Sequence, residues 1–133
     1  MSPPSLRAHY LHYLEELNSH ADRPGWKPDL AAFVGDELHY NDRPLARATY
    51  EALISDSVNQ LPGLRYHPIT LVVDEESKRV ACRLEFTVIP KDPYMGVAAG
   101  QRMRFYEHVF YDFEDGRIVR VHAVFSTPEV LAT

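Results

Sequence analysis

Between Arg79 and Ile89 apolar and polar residues alternate, with Val80, Cys82, Leu84, Phe86 and Val88 on one side and Arg83, Glu85 and Thr87 on the other. A period of two predicts a strand with one buried face. A second alternating run, Met103, Phe105, Glu107, Val109, Tyr111 and Phe113, leads into Glu114-Asp115-Gly116 and then a third strand-like run ending near Phe125, which predicts a β-hairpin. Upstream the period changes. Leu6, Tyr10, Tyr13, Leu14 and Leu17 recur at helical spacing, as do Leu45, Ala48, Ala52, Leu53 and Val58. The first helix is expected to start at Ser2-Pro3-Pro4-Ser5, with Ser2 as N-cap and Pro in the first turn, and to end near Asn18. The other runs from Leu45 to about Leu61 and stops at Pro62-Gly63. A short helix over Lys27 to Phe33, a strand over Glu37 to Asn41 closed by Asn41-Asp42-Arg43-Pro44, and a strand over Tyr66 to Asp74 complete the expected elements. Pro90 to about Gly100 is left as a loop and a candidate lid. Helices followed by a curved antiparallel or mixed sheet form an α+β pattern, read here as one domain over residues 1–133.

The hairpin register decides which residues share a face. A two-residue loop at Asp115-Gly116 puts Glu107 with Arg120, His122 and Val124. A three-residue loop with Gly116 in the left-handed conformation pairs Glu107 with Ala123, Val109 with Val121 and Tyr111 with Val119. The second arrangement gathers the apolar residues on the Glu107 face and sends Arg104, Tyr106, His108, Arg120 and His122 to the other. A half-buried sheet requires that segregation, so the three-residue loop is the expected one.

Composition narrows the function classes. With 45% hydrophobic and 25% charged residues the 133-residue chain reads as an ordinary globular protein able to enclose a pocket. A net charge of -5 argues against a nucleic-acid partner. No apolar run approaches membrane-spanning length and no basic, then apolar, N-terminal segment marks a secretory signal, so the expected location is cytoplasmic with no membrane partner. The single cysteine, Cys82, cannot form an internal disulfide and lies on an apolar stripe as an inert core thiol.

The one misplaced group is Glu107, a carboxylate on an otherwise apolar stripe. Burial disfavours its charged form and raises its pKa, which suits a base that removes a proton next to a carbonyl and returns it elsewhere. The plainer explanation is a structural carboxylate held by Tyr, Arg or a backbone group. Tyr111, two inward positions along the same face and roughly 13 Å away by strand rise, can donate to a developing enolate oxygen, and Arg43 can orient a substrate carbonyl or carboxylate from the turn. Tyr40, Asn41, Phe105, Val109, Val121 and Ala123 are candidate substrate-binding residues. His108 and His122, expected to face each other on the outer side of the hairpin, are the second-choice catalytic residues should the register slip. The seven histidines show no metal-ligand spacing, so no metal is expected.

The order of elements, the segment Tyr111-Asp112-Phe113-Glu114-Asp115-Gly116-Arg117-Ile118-Val119 and the segment Tyr40-Asn41-Asp42-Arg43-Pro44-Leu45 resemble the SnoaL-like polyketide cyclases of the nuclear-transport-factor-2-like superfamily. The resemblance covers nearly the whole chain. It implies a cone-shaped fold enclosing a pocket, a small-molecule substrate, no cofactor and frequent homodimers. It also implies a His on the penultimate strand and an Asp on the last, positions occupied here by Val109 and Ala123. That leaves Glu107 as the acid-base residue of an isomerase or cyclase acting on an apolar, carbonyl-bearing meroterpenoid, polyketide or alkaloid intermediate. Two other classes stand beside this reading: a non-catalytic binding or dimerisation module, and a dehydratase whose His108 or His122 points into the pocket. The superfamily holds all of these, so fold alone does not choose among them.

Overall fold

The computed structural model describes residues 5–132. Helix α1 runs Leu6–Asn18 and is followed by a single 3-10 turn, Ser19–Asp22. Strands β1 (Val34–Tyr40) and β2 (Arg43–Ala46) precede helix α2 (Arg47–Gln60). Then come β3 (His67–Asp74), β4 (Arg79–Val88), β5 (Met103–Glu114), β6 (Arg117–Phe125) and the short β7 (Glu129–Val130). The curved sheet has the order β2-β1-β6-β5-β4-β3, with β7 beside the start of β5. Among the described residues only the β1–β6 pair is parallel, so this is a mixed α+β sheet. No helix among the described residues is long and apolar enough to cross a membrane.

Two helices pack on the sheet where three were expected. The segment 26–33 holds only a turn, in which Phe33 N and Val34 N both donate to Leu30 O before β1 begins. Leu30 N donates to Glu51 Oε2 at 2.7 Å and Ala31 N to Asp29 Oδ1 at 3.3 Å. The expected N-cap Ser2 lies outside the described residues. Ser5 caps α1 instead, its Oγ accepting from Ala8 N, while Glu75 Oε1 accepts from Leu6 N at 2.8 Å. The stripe Leu6, Tyr10, Tyr13, Leu14 and Leu17 is buried as its spacing predicts. Arg43 and Pro44, expected in a turn, belong to β2. The turn itself is Asn41-Asp42, both with positive φ (48° and 69°), the two-residue form that matches strand twist.

The β5–β6 hairpin corrects the expected register. Its loop is the two-residue Asp115-Gly116, with φ of 51° and 77°, not a three-residue loop. Alone, that turn would place Glu107 opposite Val124 and turn His122 inward. The chain avoids this with one extra residue: Phe113 pairs with Ile118 but Asp112 pairs with Arg120, so Val119 is a β-bulge. Beyond it Tyr111 pairs with Val121, Val109 with Ala123 and Glu107 with Phe125. The segregation of faces that was expected is thus present, produced by a different device. His108 and His122 stay outside but do not face each other; they pair with Val124 and Phe110.

The inner face of β4 to β6 packs with both helices into one core. On the outer face Phe110 and Val124 stand exposed beside charged neighbours. Deleting Val119 removes the extra residue but leaves Asp112 opposite Arg120, Tyr111 opposite Val121 and Glu107 opposite Phe125, so the variant should keep the two faces of β6 and a cooperative thermal transition. Loss of the cooperative transition in the deletion variant would refute the role given to the bulge, which is to absorb one residue between the turn and the rest of the ladder.

Candidate active site

A cavity of about 660 Å³, counting its open mouth, lies between the inner face of the sheet and the helices. Tyr13 and Leu17 reach it from α1, Tyr50, Leu53, Ile54 and Ser57 from α2, and Tyr40 from β1. Leu61, Leu64 and Tyr66 close one side, Phe86 comes from β4, and Phe105, Glu107 and Tyr111 from β5. Phe125 of β6 and Tyr94 of the 90–100 loop complete it. Six of the eight tyrosines line this space, and Glu107 is its one charged residue.

The tyrosines are held in place. Tyr13 and Tyr50 share a hydroxyl hydrogen bond of 2.7 Å, and Tyr10 donates to the Tyr111 hydroxyl at 3.4 Å. Each of these contacts uses one proton, so a second remains to donate into the cavity or to a ligand. Two asparagines act as backbone clamps. Asn18 Oδ1 accepts from Tyr66 N at 2.6 Å while its Nδ2 donates to Tyr66 O. Asn41 does the same to Ala123, with distances of 2.8 and 3.2 Å. The loop is pinned too: Tyr94 and Val97 bond to each other across a tight turn, and Lys91 N donates to Gln60 O.

Burial pushes the phenols of Tyr10, Tyr13, Tyr40, Tyr50, Tyr66, Tyr94 and Tyr111 above their usual range, so at neutral pH they are hydrogen-bond donors. Glu107 is different. Its pKa is raised to about 7 by burial alone, with no hydrogen bond or ion pair to pull it back. Salt bridges form on the outer face instead, among Arg79, Asp112, Arg120 and Asp42.

The family comparison agrees with this architecture. The family model described as SnoaL-like polyketide cyclase matches residues 12–132. The chain belongs to the SnoaL-like polyketide cyclase family. A SnoaL-like polyketide cyclase from Agrobacterium tumefaciens is similar at 36% identity over 93% of both chains, with a TM-score of 0.81. The candidate hydroxylase AclR from Streptomyces galilaeus shares the fold at 22% identity, covering 91% of this chain and 88% of its own, with a TM-score of 0.69. The candidate polyketide cyclase IdmH from Streptomyces antibioticus does so at 16% identity over 91% of both chains, with a TM-score of 0.71. Among curated proteins no sequence match was found. Membership supports a cyclase- or isomerase-type role.

Of the residues singled out in the sequence of this SnoaL-like chain, Glu107, Tyr111, Tyr40 and Phe105 meet in the cavity. Val109, Val121 and Ala123 lie behind it, buried in the core. Arg43 does not reach it; it is exposed on β2. The Asn41 side chain is spent on the Ala123 backbone. His108 and His122 face outward, His108 accepting from Arg83 Nε at 3.1 Å and His122 within 3.0 Å of Asp42 Oδ1. That contact holds the Asp42 carboxyl below its usual range. Sequence reasoning missed Tyr13, Tyr50, Tyr66 and Tyr94. Tyr10 and Tyr13 on the buried stripe of α1 were the available signal, because a buried phenol needs a partner for its hydroxyl. Among the described residues no three His, Cys, Asp or Glu side chains gather as a metal site requires.

The raised pKa of Glu107 has a sign for stability. Below its ordinary value of 4.5 both folded and unfolded chains carry the proton. As pH rises from there to about 7 the unfolded chain releases it and the folded chain keeps it, so stability falls; above about 7 the penalty is complete, on the order of 3 kcal/mol. Glu107→Gln should therefore melt above the parent near pH 8 and alongside it near pH 4. A lower melting temperature for the Gln variant near pH 8 would instead mark a stabilising carboxylate.

Proposed function

We propose that this protein catalyses an acid–base isomerisation or cyclisation of an apolar, carbonyl-bearing secondary metabolite, with Glu107 as the base and then the acid. The observation that carries this reading is a carboxyl without a protein partner, titrating near neutrality, in a cavity otherwise walled by aromatic and aliphatic side chains. A carboxylate poised at about 7 is half ionised at neutral pH and strong enough as a base to matter. It removes a proton from the carbon next to the carbonyl, and that electron pair forms the enolate. Glu107, now protonated, returns the proton at another carbon, shifting a double bond. Alternatively the enolate carbon closes onto a second carbonyl of the same molecule, and the proton goes to the new alkoxide.

The enolate oxygen needs a donor that is neutral and fixed before reaction. Tyr111 meets both conditions, with Tyr10 donating to its hydroxyl from behind. This role passes wholly to phenols because Arg43 stands outside the cavity. The polyketide reference in the family name and in the names of similar structures favours a polycarbonyl or conjugated substrate. A dehydratase with a His–carboxylate pair is not favoured, since neither His108 nor His122 lines the cavity.

Proton abstraction can be read without the natural substrate, by exchange of the α-protons of 2-tetralone for deuterium. The parent should exchange them with a rate that rises with pH through about 7. Glu107→Gln should lose roughly 10²–10⁴-fold of that rate while folded. Exchange at the parent rate in a folded Gln variant would remove Glu107 from the mechanism. Tyr111→Phe should cost on the order of 10²-fold with little change in the pH midpoint; a midpoint shifted by a full unit would mean that Tyr111 tunes Glu107 rather than holding the enolate.

A further inference from the structure

The walls around Glu107 form a connected set of rings. Phe86 and Phe105 are stacked at 5.0 Å between centroids, and Tyr66 stands edge-on to Phe86 at 5.4 Å. Tyr94 and Phe125 flank Phe105 at 6.1 and 6.2 Å. Phe125 is also the residue directly across the ladder from Glu107, and Phe105 is its neighbour along the inner face of β5. On the helix side Tyr40 and Tyr50 lie 6.1 Å apart. The carboxylate thus shares the cavity wall with these rings, and among the described residues no Arg, Lys or His lines the cavity.

This arrangement discriminates by charge. An anionic ligand would meet the Glu107 carboxylate in a partly desolvated space with no cation to offset it. A neutral ligand gains only the burial of its apolar surface. A delocalised organic cation gains three times: it buries surface, it sits against the negative faces of the rings, and it gives Glu107 a counter-charge. A compact metal ion would be poorly served by one carboxylate and phenols. We propose that the cavity is selective for ligands bearing an organic ammonium or iminium group, held between the Phe105, Tyr94 and Phe125 rings and the Glu107 carboxylate.

The inference rests on the cavity being the substrate site, as assigned above, but not on turnover. It narrows the substrate to a nitrogenous metabolite. In an iminium substrate the same cation would acidify the neighbouring C–H: Glu107 takes the proton, the C–H pair becomes a C=C bond, and the nitrogen receives the π pair and becomes neutral.

Calorimetric titration with (3-hydroxyphenyl)trimethylammonium, its neutral isostere 3-tert-butylphenol and the anion 3-hydroxybenzoate tests this directly. Near pH 8 the cation should bind roughly tenfold or more tightly than the isostere, and the anion most weakly. Glu107→Gln, whose fold is checked by its melting transition, should bring cation and isostere close together. Phe105→Leu, which keeps the apolar bulk, should reduce the cation's advantage while Glu107 remains. Equal binding of cation and isostere by the parent, or a preference untouched by Glu107→Gln, would overturn the proposal. The two readings fail separately. Cation preference without deuterium exchange at 2-tetralone concentrations shown by calorimetry to fill the cavity would refute only the acid–base function, and exchange without cation preference would refute only the charge selectivity.

Discussion

One extra residue, Val119, sets which side of the sheet each residue of β6 faces. The turn at Asp115-Gly116 and the period-two alternation of β6 are individually favourable but mutually inconsistent: a tight two-residue turn delivers His122 to the inner face and Val121 to the outer. The bulge reconciles them by half a period, at the cost of local ladder irregularity. Everything behind the cavity follows. Val121 and Ala123 close the core behind Tyr111 and Val109, Phe125 comes to stand opposite Glu107, and the charged residues are left to pair outside with Asp42 and Asp112.

Within that frame Glu107 is a local cost carried by the rest of the fold. A penalty on the order of 3 kcal/mol is a large fraction of the 5–15 kcal/mol that holds a typical domain together. It is borne by a core that runs through both helices and the inner face of β4, β5 and β6. The cavity walls do not relieve it. Phenols raised by burial stay protonated, and as neutral donors they can serve a ligand without pulling the carboxyl down to its ordinary value. The two asparagine clamps matter here because Tyr66 follows α2 by an irregular connection and would otherwise be free to swing.

How much of this was legible in the chain follows from which interactions are local. The alternation of β4 and β5, the helical stripe of α1 and the isolated carboxylate on the Glu107 face are set by nearest neighbours in sequence, and they read correctly. The bulge did not, because it answers a conflict between a turn and a face that shows only when both strands are built. Nor did the helix over Lys27 to Phe33 form: the chain closes a single turn on Leu30 O, whose own amide is held by the sequence-distant Glu51, and passes straight into β1. Tyr13, Tyr50, Tyr66 and Tyr94 come from four separate segments and share nothing until the chain folds. Arg43 failed for a related reason: a two-residue turn at Asn41-Asp42 carries it into β2 and away from the cavity.

The family resemblance implied a His and an Asp where this chain has Val109 and Ala123, and the electrostatics give that difference a meaning. The two positions are directly paired on the inner face, next along from Glu107. A protonated His at 109 would sit roughly 7 Å from the carboxylate by strand rise. At an effective dielectric constant near 20 the attraction is ~2 kcal/mol, enough to lower the carboxyl by between one and two pKa units. An Asp at 123 would act in the opposite direction but would bring a second charge to be buried. With apolar side chains at both positions, desolvation acts on Glu107 unopposed. The position of the Glu107 carboxyl at about 7 therefore follows from desolvation with no charged neighbour on the inner face beside it.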